Sequence, residues 1–344
     1  MKKSRWTLTF AAGLVVAGLG IGAAAYLAST QVEAQSTGLS DTLAYMPATT
    51  TVVGHINFTS LMSSPLTEKW EEKLEGTGLN DFREMTGLDP FNDLYGASFA
   101  VVTPKEASLG GPLSMSIPER WGVAVRGSFD TEKLLAKVRE NASIETETYA
   151  STTIYHVTPH VDTKIDSGDA DDSSRTLPAF AFAGLDTLLF GEPEYLKEML
   201  DVGAGRAPSA GASIAERWGE GHFAQDTFWV AASLEQGFGQ MLPQGTNIPP
   251  IQSFALSGRL DMELGLRARG QAADSEAATK LADVVRGFVA LGSLQQGEDP
   301  DLGAILDSIQ IEQVDNEVAV SLSVPYETLE RLSQRTQTEA ENKN

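Results

Sequence analysis

An α+β fold is what this sequence predicts, and three observations predict it. Short β-branched and aromatic runs recur between Gly, Pro, Asn and Asp punctuation, as strands do. Between them lie stretches with apolar residues three and four apart behind a capping Ser or Asp, as helices do. The same order of strands and helices is met twice along the chain, so an internal duplication is expected. Neighbouring strands joined by short turns favour antiparallel sheets, here with helices on one face. The expected architecture is an N-terminal transmembrane or signal helix followed by a two-half ectodomain.

The first 35 residues set the topology. Residues 6–27 carry no charge, Lys2, Lys3 and Arg5 precede them, and no Lys or Arg follows until Lys69. As a helix this run spans roughly 33 Å, enough for a bilayer core. The one-sided basic cluster places the N-terminus in the cytoplasm and the remainder outside. Length favours an uncleaved signal anchor. Val32, Glu33 and Ala34 also offer a small-residue site for signal peptidase, which would leave a secreted or periplasmic product beginning near Gln35. Gly18 and Gly22 form a G-x-x-x-G pair, a spacing that lets two membrane helices approach closely and that an Ala/Gly-rich run also produces by chance.

Composition then removes several chemistries. The 344 residues contain no cysteine, which excludes disulfides, thiolate catalysis and Cys-ligated zinc. The formal net charge is −22, which repels nucleic acid and anionic headgroups and keeps an exported domain soluble.

Taken in order, residues 36–44 read as a tether and residues 45–207 as the first half. Residues 50–58 (TTVVGHINF) are a strand. Ser64 and Pro65 open a helix bearing Leu66, Trp70 and Leu74, and Gly76 and Gly78 stop it. Residues 79–85 add a short helix ended by Gly87 and Pro90. Residues 95–102 and 121–126 are strands on either side of a Gly/Pro/Ser loop over 104–118. Asp130 caps a helix carrying Leu134, Leu135 and Val138. Residues 144–149 and 152–157 form a hairpin about Ala150 and Ser151. A polar insertion over 158–177 follows, then strands over 179–183 and 187–190 and a helix begun by Pro193.

Residues 203–211 (GAGRAPSAG) mark the internal boundary. Residues 208–225 form the connector, with a short helix over 214–218. The second half, 226–335, opens with residues 227–231 (TFWVA), followed by residues 238–242 and a Pro-rich loop at Pro249 and Pro250. Residues 253–260 and 262–269 pair. Asp274 caps the longest helix of the ectodomain, with Ala278, Leu281, Val285 and Phe288 expected along its core face. A helical turn over 300–306, strands over 309–313 and 318–322 around Asp315 and Asn316, and a helix from Pro325 with Leu329 and Leu332 complete it. Residues 336–344 read as a disordered tail.

The duplication shows in two places. VAVRG precedes Asp130 and Glu132 at a helix start, and LRARG precedes Asp274 and Glu276 at another. DTLLFGEPEYLKEML over 186–200 resembles NEVAVSLSVPYETLERL over 316–332: turn, strand, proline, then Tyr and leucines. The segments YMPATTTVVGHINFTSL, TGLDPFNDL and WGVAVRGSFDTEKL resemble those of exported or membrane-anchored bacterial proteins without an assigned function, over roughly residues 45–335. That resemblance implies an envelope location and brings no catalytic residue with it.

The common reactive motifs are absent from the sequence. There is no Gly-Lys-Ser/Thr loop, no H-E-x-x-H, no Ser-x-x-Lys and no G-x-S-x-G. Gly203 and Gly205 lack the third glycine of a dinucleotide fingerprint. His156, His160, Asp162, Asp166, Asp169, Asp171 and Asp172 have metal-binding side chains, but Pro159 breaks any helix that would align the histidines, so a solvated loop is the better reading. Glu145 and Glu147 share a strand face about 7 Å apart, a separation compatible with paired-carboxylate chemistry and equally with the wet face of a sheet. His55 and Asn57 share a face of the first strand and read as an ordinary polar face. Trp70, Trp121, Trp218 and Trp229 sit in apolar patterns and read as core.

No residue is therefore assigned a catalytic, cofactor-binding or metal-ligating role, and no cofactor is expected. The expectation is a non-enzymatic, single-pass protein of the bacterial inner membrane with an extracytoplasmic ectodomain, a membrane contact through its N-terminal helix, a protein partner in the envelope and no nucleic acid. The alternatives are a secreted or periplasmic module binding a lipid or small apolar molecule, and a hydrolase with a non-standard site. The oligomeric state is left open.

Overall fold

The structure, a computed structural model, describes residues 41–63, 83, 86–102, 120–160, 177–219, 223–233, 249, 251–260, 263–295 and 300–331. The N-terminal apolar segment with Gly18 and Gly22, the expected helix of Leu66, Trp70 and Leu74, the loop over 104–118, the acidic run from Asp162 to Asp172, residues 238–242, His222 and the tail over 336–344 lie outside these residues.

A 3-10 turn (Asp41–Tyr45) leads into β1 (Val52–Ile56) and α1 (Phe58–Met62). The strand expected over 50–58 is thus shorter. The Asn57 side chain accepts from Ser60 N at 2.9 Å, and this N-cap starts a helix where the β-branched run gives out. Then come β2 (Leu94–Val102), β3 (Arg120–Gly127), α2 (Thr131–Asn141), β4 (Ala142–Tyr149), β5 (Thr152–Pro159), β6 (Ala179–Phe182), β7 (Thr187–Gly191) and α3 (Pro193–Gly203). After α4 (Ala210–Trp218) follow β8 (Phe228–Ser233), β9 (Ile251–Leu260), β10 (Glu263–Ala272), α5 (Ser275–Gln295), α6 (Pro300–Ser308), β11 (Gln310–Val314) and β12 (Glu317–Pro325), with residues 326–331 helical.

Among the described residues twelve strands form one sheet in the order β11-β12-β10-β9-β8-β1-β2-β3-β7-β6-β5-β4, and every neighbouring pair is antiparallel. The fold is mixed α+β built on a large antiparallel sheet. The first and second halves meet at β1 and β8, where His55 lies opposite Trp229 and Gly54 opposite Val230. Outward from that seam the order β1-β2-β3-β7-β6 is matched by β8-β9-β10-β12-β11; β5 and β4 extend the first half alone.

The expectation of helices on one face is overturned. In β6, Ala179 and Ala181 join a buried cluster with α3, while Phe180 between them joins a second cluster with α2. Alternate strand residues point to opposite faces, so α3 and α2 lie on opposite sides of the sheet. The pattern that decides this is a strand buried on both faces, and AFAF does not alternate apolar with polar. On the α3 side the sheet presents small residues, Ala100, Ala124, Ala179, Ala181, Ala231 and Ala255. Large helix side chains fill the space above them: Tyr195, Leu196 and Met199 of α3 and Trp218 of α4. Burying each contributes on the order of 1.5–3 kcal/mol. On the other side Val123, Val125 and Phe228 meet α1 and α6, and Ala272 and Val318 meet α5.

Local signals place α3. Glu192 accepts from Glu194 N at 3.0 Å and Tyr195 N at 2.7 Å, and Pro193 occupies the first turn, where its missing N–H costs nothing. Gly122 lies beneath it. A Cβ at Gly122 would overlap Met199 Sδ and stand 2.9 Å from the Tyr195 ring, so only glycine lets α3 sit at this depth.

Candidate functional site

Three constellations stand out, two polar and one apolar. The first forms where α3 crosses the β4–β5 hairpin. Glu147 and Tyr149 point from β4 toward α3, because residues two apart share a strand face. Lys197 Nζ donates to Glu147 Oε1 at 3.0 Å, and His156 Nε2 lies 3.1 Å from Oε2. Lys197 also reaches Glu194 at 2.9 Å. One turn on, Tyr149 donates to Asp201 Oδ2 at 3.0 Å, and Arg206 reaches Asp201 Oδ1 through Nε at 3.0 Å and Nη2 at 2.6 Å.

Three groups of this cluster, Glu147, Lys197 and Tyr149, are held in their resting protonation states by their partners. The hydrogen bond from Lys197, followed by that from His156, holds the Glu147 carboxyl below the usual carboxylate range. The Lys197 ammonium is pushed up by Glu194 and Glu147. The Tyr149 phenol is pushed up by its bond to Asp201. Each group moves away from neutrality, whereas a general acid or base works best close to it. Glu145, the other member of the expected carboxylate pair, stays exposed and joins no such network. Glu147 is therefore not on a plain wet face: α3 lies across it, and the cluster fastens hairpin to helix.

The second constellation is buried at the centre of the sheet. His55 is not on a polar face as the strand alternation suggested; the 3-10 turn covers it. Its Nδ1 lies 3.0 Å from Ser98 Oγ, which is 2.7 Å from Thr42 Oγ1. The neutral ring has one N–H; directed at the Ala97 carbonyl, it leaves Nδ1 to accept from Ser98. Burial lowers the His55 pKa to about 4, against a smaller upward effect of the Ala97 bond. A hydroxyl 3.0 Å from an imidazole is nucleophile–base geometry, but Ser98 is 0% exposed, closed to any substrate in this fold. Asn57, expected beside His55, is spent on capping α1.

The remaining candidates are structural or separate. His160 sits 3.2 Å from Ser143 Oγ, and extended backbone holds it roughly 13 Å from His156. Among the described residues no group of three or more metal-ligating side chains gathers. Trp218 and Trp229 are buried, and Trp121 packs edge-on to Phe190 with ring centroids 5.4 Å apart.

The third constellation is a surface. Asp274 caps α5 as expected, accepting from Ala277 N at 2.8 Å, and Ala278, Leu281 and Ala282 bury against Ala272 and Val318. Phe288, placed on the core face by the sequence, is instead 59% exposed, with Leu291 at 54% and Leu294 at 82%. In the C-terminal half of α5 Gly292 lies against Leu306 of α6, and this packing leaves the flank of Phe288, Leu291 and Leu294 uncovered. From Gly287 to Gly297 the chain carries no charge. That run was the available signal for Leu291 and Leu294, which sequence reasoning passed over. Lys197 and Asp201, four apart on one helix face, were the corresponding signal for the first cluster.

No family model matches the chain, and no curated protein matches it. Among solved structures, crystal forms I and IV of TP0453 are similar to it, each at 9% identity and a TM-score of 0.45. They cover 85% and 87% of this chain and 95% and 97% of their own. At that score the likeness carries no weight for function.

Proposed function

We propose that the chain is a non-enzymatic, membrane-anchored ectodomain of a bacterial envelope, and that its work is interaction. The observation that carries this reading is the bare apolar face of Phe288, Leu291 and Leu294 on a helix that otherwise packs normally. A contiguous patch of about 300 Å² is within the range of the largest apolar patch of a typical monomer, and such patches are often functional. Support comes also from the state of the titratable clusters, which are locked by their partners and serve the fold. The reading of a ligand cleft between the halves gains no support: one continuous core cluster joins Leu189 and Tyr195 of the first half to Trp229 and Ala255 of the second.

The finer reading of the fold belongs here too. Duplication of one ancestral unit is supported by the matched strand orders and by an equivalent ion pair in each half. Arg126 at the end of β3 bonds Asp186 ahead of β7 at 3.0 Å, and Arg269 near the end of β10 bonds Glu317 at the start of β12 at 2.6 Å. These are the arginines of the two Arg-Gly motifs.

The test is to express the full-length chain in a bacterium, fractionate the envelope, and weigh the intact product. Full-length mass in carbonate-resistant membrane is the expected result. A soluble species beginning near Gln35 would overturn the anchor. A photo-crosslinker at Leu291 then asks whether the apolar face meets anything at all in the envelope; recovery of uncrosslinked monomer in every growth state would remove the interaction role.

A further inference from the structure

We infer that the C-terminal half of α5 is a lipid-docking face that seats the ectodomain on the bilayer its own N-terminal segment enters; the inference rests on the anchored reading above. Phe288, Leu291 and Leu294 offer on the order of 300 Å² of apolar surface, the size of a functional patch. No charge interrupts the chain between Arg286 and Glu298. A helix that buries one flank in its own sheet and bares a charge-free flank has the form of an interfacial element.

Area and charge choose among occupants. Two copies meeting through this face would bury roughly 600 Å² in total, below the about 1,200 Å² of a stable dimer. They would also bring together two chains of net charge −22. A bilayer requires neither matching shape nor matching charge. The tether supplies the remainder. Residues 28–40 reach up to about 45 Å when extended. Along the sheet β2 and β12 are five strand spacings apart, roughly 24 Å, and the tether, which starts from the α3 side, also has to pass round the sheet to the α5 side. Held by its anchor, the ectodomain meets the bilayer intramolecularly. An apolar contact too small to hold a protein on lipid by itself suffices as the second signal beside an anchor. The uncharged face and acidic body select a zwitterionic surface over an anionic one.

The chain has no cysteine of its own, so a single label reads the face directly. The full-length Leu291→Cys chain would carry an environment-sensitive fluorophore and be reconstituted with phosphatidylcholine vesicles. Ser293→Cys, exposed on the far side of the same helical turn, is the control. Expected is co-flotation of both, with loss of iodide quenching at position 291 and full quenching at 293. Adding Phe288→Glu and Leu294→Glu should restore quenching at 291 while flotation persists. Vesicles half of phosphatidylglycerol should shield position 291 less; equal or stronger shielding would overturn the choice of a neutral surface. Flotation with position 291 as open to iodide as 293 would overturn the docking face and leave the anchor standing. Shielding without vesicles at a doubled mass would overturn it in favour of a second copy. Failure to float would overturn the anchored reading itself, and this inference with it.

Discussion

His55 shows how a single residue records its surroundings. The sequence places it on alternate positions with Val53 and Asn57, which reads as a polar face. In the fold the 3-10 turn brings Thr42 over it, and β2 brings Ser98. Burial lowers its pKa from 6.5 to about 4, so the native state holds the ring neutral where the unfolded chain would protonate it. Stability from this residue is present in full above pH 6.5 and is lost as pH falls toward 4, since the unfolded state binds the extra proton there. The shift corresponds to about 3 kcal/mol across that window. Urea unfolding at pH 7 and pH 4.5 should show a steeper loss for the native chain than for His55→Gln, which has no proton to take up. Equal pH slopes for the two would mean the ring is not buried as described. The Glu147 carboxyl acts over a lower range. Its pKa is depressed, so the stability it adds is present above the usual carboxylate pKa and falls away only as pH drops through its own lower value. Lys197→Met, which removes the main cause, should raise the Glu147 pKa in a carbon-detected carboxylate titration, and an unchanged value would break the assigned pairing.

At the scale of elements, two places make their physical logic testable. The β4–β5 hairpin turns on two residues, with Tyr149 opposite Thr152, and both turn residues have positive φ: Ala150 at 47° and Ser151 at 71°. Such a turn matches the twist of the strands but suits Asn and Gly, not Ala and Ser. Ala150→Asn with Ser151→Gly should stabilise the protein by about 1–2 kcal/mol, read as a raised denaturation midpoint at constant m. A lowered midpoint would show that the pair is held by contacts other than turn geometry. At Gly122 the direction reverses. Adding a methyl under Tyr195 and Met199 must lift α3 or twist β3, and Gly122→Ala should cost about 1–3 kcal/mol. A neutral result would mean that α3 rides higher than its 0% exposed Tyr195 and Met199 indicate. Elements of this kind were legible in the sequence because their signals are local. Asp130 and Asp274 cap helices by bonds three residues long, to Lys133 N and Ala277 N, and the hairpin closes on itself. Phe288 was misread because periodicity tells which residues share a helix face, and not which neighbouring elements cover that face.

The whole molecule was the least legible, because what organises it is contact between residues far apart in the chain. Nothing in TTVVGHINF announces that β1 pairs with β8 some 170 residues later, yet Val53 opposite Ala231 and Ile56 opposite Phe228 make the halves one sheet. Nor does AFAF announce which face each phenylalanine takes until α2 and α3 are in place. The proposed duplication is legible in the sequence only as repeated grammar; the matched strand orders and the Arg126–Asp186 and Arg269–Glu317 pairs support that proposal in space. Among the described residues the edge strands are β4 and β11, and Glu145 and Glu312 on those edges discourage strand pairing between copies. Association, where it occurs, is thereby directed to faces and not to edges. The seam makes a last prediction. Leu43, Met46, Trp218, Phe223 and Trp229 share one cluster, so removing residues from 208 onward would uncover one side of β1 and the ring of buried side chains around it. The two halves should therefore melt together: calorimetry of the ectodomain should give one transition whose calorimetric and van't Hoff enthalpies agree. Two resolved transitions, or a fragment over 45–207 with native-like cooperativity of its own, would mean that the seam is a contact between independent units and that the sheet is continuous in form but not in energy.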